Sequence, residues 1–298
     1  MAVDGIVIRG HGKSFVVRSH GKDISCELRG KLKFMSDAAT AVAVGDSVTI
    51  LLNADGTGTI EQVEERSSMF FRPTKGMENR KQIIAANLDQ LAVVASVRNP
   101  PLNPRFIDRF LIAAELGDMK PLVIINKLDL GHPRILAELQ KGYADIGIHL
   151  LPVSAVTGEG LDSLGQALKD HKTILAGHSG VGKTALINYL IPGLNLREGA
   201  VSEYSDRGIH TTSLVELFEL PTGGFIADTP GLKVLGLWEM EKAELALYFP
   251  EMNPYLEDCR FSGCSHTHEP DCAVIKAVRE GKIPKFRYDS YLAIRESL

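Results

Sequence analysis

Thr173-Ile174-Leu175-Ala176-Gly177-His178-Ser179-Gly180-Val181-Gly182-Lys183-Thr184-Ala185-Leu186-Ile187 is the stretch on which the reading of this chain turns. Thr173–Ala176 reads as a buried strand, Gly177–Thr184 as a glycine-rich loop, and Ala185–Leu190 as the start of a helix. The loop fits GxxxxGK[ST], and a position between strand and helix is the context that motif requires. Its glycines let backbone N–H groups close around a phosphate at a helix N-terminus, where the dipole also favours negative charge. Lys183 is placed to reach β- and γ-phosphates, and Thr184 offers a hydroxyl to Mg²⁺. Gly177, His178, Ser179, Gly180, Val181, Gly182, Lys183, Thr184 and Ala185 are therefore expected to line a nucleotide.

Such a loop does not select the base, because every nucleotide offers the same phosphates. Asn126-Lys127-Leu128-Asp129 closes another strand, Leu122–Ile125. A carboxylate at Asp129 can accept from the N1–H and exocyclic amine of guanine, a pair of donors adenine lacks, and the wrong base would leave buried polar groups unpaired. The stem of Lys127 can cover the ring while Asn126 ties its loop to the phosphate side. Ser154-Ala155, after the strand Leu150–Val153, is a third segment expected at the base. GTP and GDP are the expected ligands.

Working outward, strands recur at Leu91–Val97, Val215–Leu220 and Phe225–Asp228, with helical patterns at Arg105–Leu116, Ile135–Tyr143 and Leu161–Leu168. This alternation predicts an α/β unit, a mainly parallel sheet with helices on both faces. Asp228-Thr229-Pro230-Gly231 comes after the last strand and reads as switch II, with Asp228 for Mg²⁺ and the Gly231 N–H for the γ-phosphate. Between it and the phosphate loop, Arg207-Gly208-Ile209-His210-Thr211-Thr212 reads as switch I, where Thr211 or Thr212 can complete the Mg²⁺ shell when γ-phosphate is present. Leu232 stands where Ras-like proteins carry the water-orienting glutamine. Leucine cannot do that, so His210 becomes the candidate for the attacking water; the other reading is a loop histidine with no catalytic task. The expected catalytic set is His210, Lys183, Thr211, Thr212 and Gly231. The motif order is a circular permutation of the usual GTPase sequence, and it puts switch II next to the C-terminal segment of the chain.

That segment carries Cys259-x₄-Cys264-x-His266-x₅-Cys272, three thiolates and an imidazole that match tetrahedral structural zinc, with His268 an alternative fourth ligand. Beyond Trp238 the strands stop, and this helical tail shows no clear core in its sequence. Residues 4 to 66 read instead as short alternating strands, Gly5–Arg9, Ser14–Val17, Ile24–Leu28, Ser47–Leu52 and Thr59–Glu64, with turn residues between them, an OB-type β-barrel. Three domains are expected: 1–66 the barrel, 67–236 the permuted GTPase and 237–298 the zinc module.

With 298 residues, 44% hydrophobic and 23% charged, each unit can own a core. No apolar run approaches the roughly 18 residues of a membrane helix. The N-terminus lacks a signal pattern, so a cytoplasmic protein is expected, and three clustered cysteines suit metal in a reducing compartment. Cys26 reads as a small buried hydrophobe. A net charge of -4 excludes a pervasive positive field. Locally, though, Arg9, Lys13, Arg18, Lys22, Arg29, Lys31 and Lys33 make the barrel basic, and Lys276, Arg279, Lys282, Lys285, Arg287 and Arg295 do the same for the tail. These surfaces are either solvated or two arms of an RNA grip.

Taken together, the barrel, the permuted motifs at Asn126–Asp129, Gly177–Thr184, Arg207–Thr212 and Asp228–Gly231, and the Cys259, Cys264, His266, Cys272 cluster closely resemble the bacterial small-ribosomal-subunit biogenesis GTPases, the RsgA/YjeQ family. The resemblance spans nearly the whole chain. It implies a GTP hydrolase that binds the 30S subunit late in maturation, is stimulated by it and leaves after turnover. It also implies rRNA contacts from the OB-fold, one structural Zn²⁺, Mg²⁺ with GTP, and a histidine at the place of His210 that supports hydrolysis. A monomer is expected. Thr184 replaces the serine common in the family and keeps the hydroxyl; Ile209 stands at a position often basic there. The other readings are a permuted GTPase acting on another RNA or protein machine, and an RNA-binding scaffold with nucleotide as a structural ligand.

Overall fold

A computed structural model describes residues 2–29, 40–73, 81–196, 215–228 and 240–298. Five strands, β1 (Ala2–His11), β2 (Ser14–Ser19), β3 (Lys22–Leu28), β4 (Ser47–Leu52) and β5 (Gly58–Val63), begin the chain. They close on themselves in the order β1-β2-β3-β5-β4-β1, with β3 and β5 parallel and the other pairs antiparallel. This is the barrel expected from the alternating pattern. Period-two alternation sends Val7, Phe15, Val17, Cys26, Val48, Ile50 and Ile60 inward to one core. Cys26 is buried and free, as its neighbours suggested.

A two-stranded hairpin, β6 (Met69–Pro73) and β7 (Lys81–Ala86), then joins barrel to sheet. Its sequence carries no turn signal strong enough to have announced it. The joint itself is a buried ion pair, Arg66 Nε and Nη2 each 2.7 Å from the Asp46 carboxylate. Asn87 donates to the Gly45 carbonyl (3.2 Å) and so ties the hairpin's exit to the turn that leads into β4.

Through the pairing of β1 with β12 the same sheet continues outside the barrel, in the order β10 (His149–Pro152), β9 (Lys120–Asn126), β8 (Gln90–Ser96), β11 (Lys172–Ala176), β13 (Phe225–Asp228) and β12 (Glu216–Glu219). All neighbours among these six are parallel except the antiparallel pair β12–β13. Strands with continuous apolar runs must bury both faces, and β8 shows it. Leu91, Val93 and Ala95 enter one core with Ile107, Phe110 and Leu139 of helices α1 (Pro104–Leu116) and α2 (Ile135–Ala144). Ala92 and Val94 enter a second core with Leu161, Leu164 and Leu186 of α3 (Leu161–Leu168) and α4 (Lys183–Leu190). Each such buried Leu or Val side chain contributes about 1.5–3 kcal/mol. Late in the chain yet central in the sheet, β11 makes the permutation visible.

Residues 240–298 form short helical turns at Leu245–Tyr248, Pro250–Met252 and Asn253–Leu256, then α5 (Ala273–Arg279) and α6 (Lys285–Ser297). Contrary to the sequence reading, this region has a core of its own: Leu245, Phe249, Met252, Val274, Ile283, Tyr291 and Ile294, completed by Ile112 of α1. The apolar residues come in short runs such as Leu245–Phe249 and Ala273–Ile275, separated by polar stretches, and gather only when the turns fold.

Both basic surfaces are also revised. Arg9 pairs with Glu216, Arg18 with Asp23 and Glu219, and Arg29 with Glu61. Two of those partners lie on β12, where Arg9 is also in register with Glu216, so part of the barrel's charge holds it to the neighbouring mainly parallel strands. Lys13 and Lys22 stay exposed, while Lys31 and Lys33 lie outside the described residues. In the tail Arg287 is 2% exposed and belongs to the interior. Lys276 and Lys282 pair with Glu280, and Lys285 pairs with Asp289.

Candidate functional site

Four parallel strands, β8, β9, β10 and β11, end at one edge of the sheet, the edge where open α/β sheets hold ligands. Asn126 is the last residue of β9 and is buried. Its Nδ2 donates to the Val181 carbonyl in the phosphate loop (2.9 Å), and its Oδ1 accepts from the Ala155 N–H (3.1 Å). One amide thus joins three segments of the sequence. Ser154, fully buried, donates to Asp129 Oδ1 (2.6 Å) and aims that exposed carboxylate. Lys127 adopts a left-handed backbone (φ 68°), uncommon without glycine, and its Nζ donates to the Asn99 carbonyl. The stem of Lys127 is thereby held between the β8 exit loop and the base-reading side.

Gly182 sits at φ 96° before α4, and a Cβ there would overlap Asn126 Nδ2. Glycine is required both by the left-handed backbone and by the approach that lets Asn126 reach Val181. Within the loop, Lys183 Nζ donates to the carbonyls of Gly177 (3.0 Å) and His178 (3.3 Å). Burial lowers the Lys183 pKa, and the charge of nearby Asp228 partly restores it. Asp228, at the end of β13, is buried. Thr184 in the first turn of α4 and Asp228 therefore sit on the same edge as Lys183, an arrangement that suits Mg²⁺ carried with a nucleotide. His178 stacks on Phe106 of α1, ring centres 3.8 Å apart at 26°. Burial, then the Lys183 charge, holds its imidazole toward the neutral form.

Asn126, Lys127, Asp129, Ser154, Ala155 and the whole of Gly177–Ala185 are brought to one place. His210, Thr211 and Thr212 with the rest of Arg207–Thr212, and Thr229, Pro230, Gly231 and Leu232, lie outside the described residues; of the two switch segments only Asp228 is described.

The ligand atoms of Cys259, Cys264, His266 and Cys272 all lie within 4.8 Å of one another. The Sγ atoms of Cys259 and Cys272 are 3.9 Å apart, and His266 Nδ1 is 3.6 and 3.5 Å from them. Donors about 2.3 Å (S) and 2.0–2.1 Å (N) from a tetrahedral centre are spaced by roughly 3.5–3.8 Å, so the set fits Zn²⁺. Burial first, then Cys272 and Cys259, raise the Cys264 thiol to about 12, so thiols this close would become thiolates together only around a cation. His268 is exposed, with Nδ1 against the Thr267 hydroxyl, and is no part of the set.

Two supports of this loop escaped the sequence reading. Glu269 accepts from the N–H groups of Ser265 (2.8 Å) and Thr267 (3.1 Å). Burial opposes its charge, but these donors and the Ser265 hydroxyl outweigh it and hold the carboxyl below the ordinary range. From α6, the Tyr288 and Tyr291 hydroxyls donate to the carbonyls of His266 and Ser265, both at 2.8 Å. An acidic residue inside the Cys/His span was the available signal for Glu269; nothing marked the tyrosines.

Comparison with known proteins agrees with this geometry. The RsgA GTPase family model matches residues 63–238. The small ribosomal subunit biogenesis GTPase RsgA of Gemmatimonas aurantiaca is 42% identical over 297 residues, 99% of this chain and 97% of that protein. The protein of the same name from Bacteroides fragilis is 39% identical over 297 residues, 98% and 96% of the two chains. The crystal structure of YjeQ from Thermotoga maritima superposes with a TM-score of 0.81 at 33% identity, covering 100% of this chain and 99% of the other. That of YloQ, a circularly permuted GTPase, gives 0.74 at 28% identity, with 100% and 95% covered.

Proposed function

The chain belongs to the RsgA GTPases, circularly permuted GTP hydrolases of ribosome biogenesis, and on that premise we propose that it binds the 30S subunit late in maturation and uses hydrolysis to time its release. The observation that carries the nucleotide half is the Asn126 side chain, which binds the phosphate loop and the Ala155 segment at once. Base reading and phosphate binding therefore belong to one site.

In this reading Asp129 accepts from guanine, Lys127 covers it, and Ser154 and Ala155 border it. The backbone of Gly177–Thr184 cradles the phosphates, and Lys183 leaves its carbonyl partners for the β- and γ-oxygens. Mg²⁺ brought with the nucleotide neutralises charge there, and Thr184, Asp228 and Thr212 or Thr211 would hold it. The Gly231 N–H marks the γ-phosphate, and His210 orients the attacking water that Leu232 cannot. Residues 1–66, 67–236 and 237–298 divide the work as barrel, switch and zinc module. A structural zinc on Cys259, Cys264, His266 and Cys272 would set the shape of the third unit, and barrel and module would grip rRNA. The protein works as a monomer in the cytoplasm.

GTP turnover measured with and without purified 30S subunits, together with co-sedimentation in a non-hydrolysable GTP analogue, tests this. Stimulated turnover and GTP-dependent co-sedimentation are expected. Turnover indifferent to the subunit, with no co-sedimentation, overturns the partner; failure to bind GTP overturns the site.

A further inference from the structure

The phosphate loop and the zinc knuckle are joined by described side chains through one helix, α1. On one side of α1, Phe106 stacks on His178 at 3.8 Å and leans on Phe110 at 4.7 Å. Two residues on, roughly 200° around the helix, Asp108 is fully buried and accepts from Arg287 Nη1 of α6 (2.5 Å) and from the Tyr143 hydroxyl of α2 (2.7 Å). Arg287 also binds Glu251 through Nε (2.6 Å) and lies over the Phe249 ring at 4.6 Å. Farther along, Ile112 enters the C-terminal core and Arg109 donates to Ser297. α6 is in turn the helix whose Tyr288 and Tyr291 hold the carbonyls of His266 and Ser265.

The geometry points to α1 as a thermodynamic link: nucleotide on the phosphate loop and the packing of α6 under the zinc knuckle bias each other through Phe106 and the Asp108–Arg287 pair. This rests on the reading of Gly177–Thr184 as the phosphate site and adds a coupling to it. One contact must differ between the two states. Lys183 donates to the His178 carbonyl, and a phosphate claims the same ammonium. Binding therefore changes the hydrogen bonding of the very residue that stacks on Phe106. At the other end, a buried Arg–Asp pair cannot slide gradually, because separating it leaves a charge unpaired. Rigid packing between the two ends transmits a shift that a loosely packed loop would absorb. Phe106, Asp108 and Arg287 are positioning residues here, since none touches the reacting atoms.

The test uses the full-length, zinc-loaded chain. Hydrogen exchange of α6 and of residues 259–272 is measured with and without GDP and a non-hydrolysable GTP analogue, in the parent, in Phe106→Leu and in Arg287→Lys. Nucleotide is expected to slow exchange in α6 by about five-fold in the parent, the low end of typical coupling. Phe106→Leu, which keeps an apolar side chain and should still bind nucleotide and zinc, is expected to lose that dependence. Because linkage is reciprocal, Arg287→Lys, which keeps the charge but not the planar fork, should weaken nucleotide affinity by about the same factor. Should Arg287→Lys fail to fold, Phe106→Leu decides alone. Exchange in α6 indifferent to nucleotide in a parent that binds it, or an unchanged dependence in Phe106→Leu, overturns the link. A parent that binds no guanine nucleotide overturns the site reading and the link with it.

Discussion

The candidate nucleotide site and the Cys/His cluster are built in opposite ways. Asn126, Ser154 and Val181 meet only because strands far apart in the chain end at one sheet edge, and Asn126 reaches 55 residues to Val181. The metal ligands fall within Cys259–Cys272, a single loop tied down by Glu269 and two tyrosines. The first site depends on a large prepacked core. The second gathers its donors locally but needs a cation to reconcile three thiols.

The largest expected effect comes from removing that cation. Structural zinc contributes on the order of 10 kcal/mol of folding free energy, comparable to a domain's whole stability. Chelation should unfold residues 240–298, seen as full hydrogen exchange, and abolish co-sedimentation with 30S subunits, while nucleotide affinity falls by no more than about ten-fold. Equal loss of both functions would break the comparison. Next, Asp129→Asn should cost about 10⁴ in GTP affinity by titration, since a site built on paired hydrogen bonds rejects mismatches strongly, with zinc content unchanged. Unaltered GTP binding would remove Asp129 from the base site. Third, His210→Ala should slow 30S-stimulated turnover by about 10²-fold, the low end for a group handling the proton or water, with GTP affinity intact. Parent-like turnover would return His210 to an ordinary loop residue. The smallest effect belongs to Glu269→Gln, which should weaken zinc affinity by about ten-fold, as loss of an outer supporting contact does; identical competition against a chelator in variant and parent would show that Glu269 is dispensable.

Candidates for both sites could be picked out directly because each rests on residue types at short spacing. The eight-residue loop Gly177–Thr184 and the cysteine spacing need no knowledge of neighbours. The apolar runs of β8 and β9 were equally plain, since a strand covered on both faces carries hydrophobic side chains at every position. The hairpin β6–β7 was not, being short and held by packing and hydrogen bonds to residues distant in the chain, such as Val44 and Gly117. Nor was the C-terminal core, whose residues Phe249, Val274, Ile283 and Tyr291 keep no regular period.

Arg287 shows the boundary most clearly. In the chain it stands among Lys285 and Asp289 like any surface cation of a helix, yet its partner Asp108 lies 179 residues away. A residue's type and immediate neighbours state what it can bind, and that was enough to nominate residues for phosphate, guanine and zinc. Whether a charge faces water or a buried partner depends on which distant elements pack against it. Folding therefore moved Arg287 from the exposed basic face, where its neighbours placed it, to the packing between α1 and residues 240–298.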